Sequence, residues 1–167
     1  MRYTDPASSQ VDHGGGGRDG FIARLGFDLT GTQAPVATYL GGSGDDEVRD
    51  IILGATHAFV AGHTSSADFP DTAGNFQETH GGGFDVYITK IGLSLTGITQ
   101  STYIGGSVDE KLQAIADTGI DTLDSFIYLT GHIPGFTGTA DFPLVNTAIP
   151  GLPTQEANFI AYIQKDL

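Results

Sequence analysis

The chain has 167 residues, 39% of them hydrophobic and 16% charged; 20 Asp and Glu against 7 Lys and Arg give a formal charge of −13, and there are 25 Gly, one Met and neither Cys nor Trp. That length suffices for one domain burying on the order of 70% of its unfolded surface. The missing Cys excludes a disulfide scaffold, a thiolate zinc site and a Cys nucleophile, and the acidity opposes electrostatic binding to nucleic acid or an anionic membrane while favouring solubility, a saline medium or cation binding.

The start, MRYTDPASSQ, has no apolar stretch of signal-peptide type, and no window approaches the roughly 18 apolar residues of a membrane span. If the protein is exported, its signal is expected outside this sequence. Next comes QVDHGGGG from Gln10, where Gly15, Gly17 and Gly20 satisfy G-x-G-x-x-G. A dinucleotide site needs that run between a strand and a helix, but here the run leads into FIARL, a strand. His13 and His80 each open an HGGG run like the oxyanion loop of lipases, yet no G-x-S-x-G accompanies them; GGSGD at Gly41–Asp45 lacks the last glycine. Both runs read as loops entering strands.

Short segments rich in β-branched and aromatic residues, alternating apolar with small or polar positions, predict nine strands: 20–26, 36–41, 47–53, 57–63, 85–91, 100–105, 111–117, 125–131 and 158–164. No window offers a capped amphipathic helix. Gly-Gly, Ser-Gly, Asp-Phe-Pro and Thr-Gly mark the reversals.

The chain repeats itself with an offset of 64 to 73 residues. GFDLTG at Gly26 returns as GLSLTG at Gly92, ATYLGGS at Ala37 as STYIGGS at Ser101, HAFVAGH at His57 as FIYLTGH at Phe126, and ADFP at Ala67 unchanged at Ala140. QVDHGGGG matches QETHGGG at Gln77, and GFIARL at Gly20 returns as VYITKI at Val86 and NFIAYI at Asn158. Naming the FIARL-type strand A, the order is A-B-C-D-A-B-C-D-A. Each copy of TYLGG-S is expected to end a B strand and turn into C of the same blade, with Gly-Gly permitting the reversal and the acids capping it.

Four antiparallel strands per unit suggest a β-propeller blade. TYLGGSGDDE, FVAGHTSSADFP, NFQETHGGG and DVYITKI together resemble the SBBP repeat of bacterial and archaeal β-propeller proteins, from about Gln10 onward. The second unit departs from that pattern at Val108, around Asp117–Asp124 and in IPGFTGTADFP. The implied organisation is an N-terminal Gly-rich partial repeat (1–19), repeats over 20–83 and 84–157, and the first strand of a third (158–167). Two repeats and a strand cannot close a ring of four to eight blades. The chain is therefore expected to be a piece of a longer array or to complete a ring with other copies, rather than an open sandwich with bare edges.

Candidate chemistry is sparse. Asp45, Asp46, Asp109 and Glu110 gather hard oxygens beside glycines and are the calcium candidates, against an Asx-turn role for the same residues. Asp68 and Asp141 are read as backbone caps, with Phe69 and Phe142 entering the core and Pro70 and Pro143 stopping pairing. His63 and His132 occupy equivalent positions, for a turn hydrogen bond or a shared metal, and His57 lies six residues before the first. Tyr39, Tyr103, Phe59, Tyr128, Phe21, Tyr87 and Phe159 recur at matched positions and are expected in inter-blade packing, whereas Phe136 does not recur and suits carbohydrate stacking.

Three functions are compatible with these features. The first is a non-enzymatic structural or interaction module of a secreted or cell-surface prokaryotic protein, its partners being further repeats, other copies, carbohydrate or surface proteins. The second is a lectin-like ring of short chains. The third is a hydrolase or lyase on propeller loops, for which Asp121 and Asp124 are the acid–base candidates.

Overall fold

A computed structural model describes residues 10, 12–26, 35–119, 126–135, 142–143 and 156–164. Among them the chain is all-β and without helix: β1 (Gly20–Arg24), β2 (Val36–Leu40), β3 (Asp46–Leu53), β4 (His57–Thr64), β5 (Asp85–Gly92), β6 (Ile98–Ile104), β7 (Lys111–Asp117), β8 (Phe126–Pro134) and β9 (Glu156–Gln164). All nine predicted strands are present.

They form three antiparallel sheets: β1-β2, β3-β4-β5-β6 and β7-β8-β9. Each sheet is out of phase with the sequence repeat, since the complete one takes C and D from the first unit and A and B from the second. The phrase TYLGGSGDDE therefore does not turn within a blade. It crosses from the end of β2 in the first sheet to the start of β3 in the second, and TYIGGSVDEK crosses likewise from β6 to β7. The chain reverses across this link without a positive φ at Gly41, Gly42 or Gly44. A Cβ on Gly42 would sit 2.5 Å from Asp68 Oδ1 and 2.8 Å from Ser66 Cβ, so close packing of the crossing against the next loop is what demands Gly there.

The four-stranded sheet is the middle layer, and period-2 alternation gives it two apolar faces. Ala58, Val60, Tyr87, Ile91 and Tyr103 meet Leu40, with Ile22 and Val36, on the side of the first sheet. Phe59, Ala61, Val86, Ile88 and Ile104 meet Leu112, Ile115, Ile127, Leu129 and Phe159 on the side of the third. As expected, Phe69 and Phe142 enter these two cores. Phe69 stacks on Tyr87 at 4.3 Å between centroids, and Phe142 on Phe159 at 5.1 Å. The layers are also tied by a bulge. The β3–β4 register slips between Val48 and Asp50, which frees the Asp50 carboxylate to accept the Ile115 amide of β7 at 2.9 Å.

Candidate functional site

The registers Gly20↔Leu40, Asp46↔Thr64↔Asp85 and Val86↔Ile104 place the starts of β1, β3 and β5 and the ends of β2, β4 and β6 at one end of the sheets. The repeated loops gather there. In the first copy the Gln10 amide side chain brackets Gly41, donating to its carbonyl at 3.1 Å and accepting from its N–H at 3.3 Å, while the Gln10 carbonyl takes the Tyr39 amide. Gln77 does the same at Gly105, at 3.1 Å each way, and takes the Tyr103 amide. The HGGG loops then lie on the crossings. Gly16 and Gly83 hold φ of +63° and +57°, which L side chains adopt only under strain, and each runs against crossing backbone. Both HGGG runs are thus backbone clamps on a neighbouring loop.

Carboxylates anchor this layer from two sides. Asp45 accepts the Gly17 amide and faces Arg18 at 3.8 Å; Asp109 accepts the Phe84 amide at 3.1 Å and faces Lys111 at 3.7 Å. Their chain neighbours turn inward, as alternation requires. Asp46 is 1% exposed and accepts from Gly42 N–H and the Ser66 hydroxyl, both at 2.8 Å; Glu110 is wholly buried and accepts the Gly106 amide at 2.9 Å. So the four calcium candidates separate into an outer pair and an inner pair. Asp46 is joined by a carboxylate that the sequence pattern does not single out, Asp19, which accepts from Gly14; the repeat equivalent of Asp19 is Asp85, which is buried and accepts from Gly81 at 2.7 Å. Burial, and the Asp19 charge to a lesser degree, push the Asp46 carboxyl above its ordinary range against the pull of its hydrogen bonds. No three His, Asp or Glu among the described residues converge in a metal-binding arrangement.

Asp68 caps the neighbouring crossing rather than its own turn: its Oδ1 takes both the Ser43 amide at 2.8 Å and the Ser43 hydroxyl at 2.9 Å, which hold its pKa below the usual value. Asp141, Asp121, Asp124 and Phe136 lie outside the described residues. His63 is not in a turn. It is buried within β4, edge-on to Phe84 at 5.5 Å, and burial lowers its pKa to about 4, so it is neutral near pH 7. His132 sits in the other sheet, between Lys111 and Asn158. His57 is at the far end of β4, 2.8 Å from the Thr56 hydroxyl. Above the carboxylate layer opens a cleft of about 500 Å³, lined by Gly14, Gly41, Gly42, Asp68, Asp71 and Ile98 among others.

No family model matches the chain, and no solved structure matches it. A curated relative is similar: the "Regulatory protein FlaEY" of Caulobacter vibrioides, 27% identical over 138 residues. That stretch is 80% of this chain and 13% of the relative, so the chain spans a small part of a much longer protein.

Proposed function

We propose that the chain is a non-enzymatic structural and interaction module, a length of β-propeller-type repeat array of a secreted or surface protein whose two end layers receive further repeats. The observation that carries this reading is a mismatch of burial between equivalent positions. Ile88 of β5 is wholly buried against the next sheet, and its counterpart Ile160 in β9 is 77% exposed. Tyr87 and Tyr103 are wholly buried against the preceding sheet, and their counterparts Phe21 and Tyr39 are 65% and 38% exposed. Beside β9, where the complete sheet has β6, an apolar groove of about 290 Å³ is lined by Phe76, Ile104, Pro143, Ile160 and Tyr162. Apolar faces of this kind on a soluble chain mark contact surfaces. The resemblance to SBBP repeats agrees with such a role, and so does a relative many times longer than the match.

In a repeat array, stability sums over units and their interfaces. A tandem chain in which a second copy of residues 92–164 continues from the first is therefore expected to unfold in one transition, several degrees above the parent. Two transitions, one of them at the parent's Tm, would mean that the end layers do not continue the stack.

A further inference from the structure

We propose that Asp19 and Asp46 together hold a hard divalent cation beside Gly41. Both carboxylates are out of solvent, the Asp19 side chain at 0% exposure and Asp46 at 1%. Each spends one oxygen on the protein: Asp19 Oδ2 accepts from Gly14, and Asp46 Oδ2 from Gly42 and Ser66. The other oxygen of each, Oδ1, is buried without a hydrogen-bond partner among the described residues. Two ionised carboxylates left in that state are strongly disfavoured unless a positive species joins them.

Among the described residues, no Lys or Arg supplies it. Arg18, the nearest cation in sequence, points outward to Asp45 and Glu47. His13 Nε2 stands 3.6 Å from Asp19 Oδ1, at ion-pair distance and beyond hydrogen-bond length, with 44% of its side chain exposed. Tyr87 and Tyr103, which feel the Asp46 charge, are uncharged because burial pushes their pKa values up, and they spend their hydroxyls on the Glu47 and Ser66 carbonyls.

The two carboxylates flank one point, reached by the unpartnered oxygen of Asp19 and the hydrogen-bonded oxygen of Asp46. A Cβ on Gly41 would lie 3.1 Å from Asp19 Oδ1 and 2.6 Å from Asp46 Oδ2, so glycine keeps the space between them clear. Gly14, Gly41 and Gly42 also line the acidic cleft, which provides a route from solvent. An all-oxygen donor set with two carboxylates suits calcium or magnesium, which complete their shells with carbonyls and water, rather than a transition metal that prefers nitrogen or sulfur.

The test is thermal unfolding of the full chain in chelator, then in calcium chloride or magnesium chloride at matched ionic strength. The expected result is a Tm raised by roughly 5–10 °C when the cation stands a hundredfold above its Kd. Asp46→Asn keeps an oxygen for Gly42 and Ser66; it should melt in chelator at or above the wild-type temperature and show a smaller rise with the cation. Failure of both cations to raise Tm would overturn the proposal and leave a proton as what the pair shares. An equal rise in Asp46→Asn would overturn it too, by placing the cation elsewhere.

Discussion

Gly62→Ala is expected to destabilise the fold by at least ~3 kcal/mol, the upper range for overpacking a core. Gly62 pairs with Val48 at the β3 bulge, and a Cβ there would lie 1.8 Å from the Glu47 carbonyl oxygen and 2.9 Å from the Tyr87 hydroxyl. That carbonyl already accepts the Tyr87 hydroxyl at 3.2 Å, so the methyl group would have to displace both strand backbone and a buried ring. Gly131, its counterpart in β8, would bring a Cβ to 2.3 Å from the Lys111 carbonyl and 2.6 Å from the Phe159 ring. Gly97, which has open space around the Cβ position, is the control, and Gly97→Ala should be neutral or slightly stabilising. Urea unfolding of the three variants checks this; equal costs at Gly62 and Gly97 would show that the bulge is not tightly packed.

Tyr103→Ala should cost about 4 kcal/mol, within the usual range for deleting a large buried aromatic ring. The Tyr103 ring is wholly buried between the first two sheets. Its hydroxyl ties the ADFP loop at two points, donating to the Ser66 carbonyl at 2.8 Å and accepting the Phe69 amide at 3.0 Å. Burial raises its pKa to about 12, so the hydroxyl keeps its proton across the working pH range. Tyr103→Phe retains the ring and strands those two backbone groups, for a cost of roughly 1–3 kcal/mol. The gap between the two variants, read from urea midpoints at constant m-value, separates packing from hydrogen bonding. A Tyr103→Ala cost below that of Tyr103→Phe would contradict this assignment.

The strands are legible because each is a short run of β-branched and aromatic residues, and VYITKI or FIYLTGH has no competing helical period. The phase of the sheets is not. Similarity between copies fixes the period and leaves the starting point open, and loop length misleads: the short link from Leu40 to Asp46 crosses between sheets, while the long stretch from Thr64 to Asp85 stays within one. Asp45 and Asp46 stand out as acids, and their division into outward and inward comes from strand alternation at the start of β3. Their inner partners are less visible. Asp19 stands just before β1 and Asp85 opens β5, a signal present in both copies, but the meeting of Asp19 with Asp46 depends on contacts between sheets. Gln10 and Gln77 likewise gain meaning only once Gly41 and Gly105 lie beside them.

The most direct measurement of the end-layer reading is the solution mass of the chain by light scattering after size exclusion, beside that of Ile160→Lys. Ile160 is exposed, so the substitution should leave the fold intact. The wild type is expected to run above the mass of one chain, more so as salt screens its −13 charge, and Ile160→Lys at the mass of one chain with an unchanged circular dichroism spectrum. A wild-type chain that stays single at every concentration and salt would contradict the account, because the apolar faces of its first and third sheets would then need no partner.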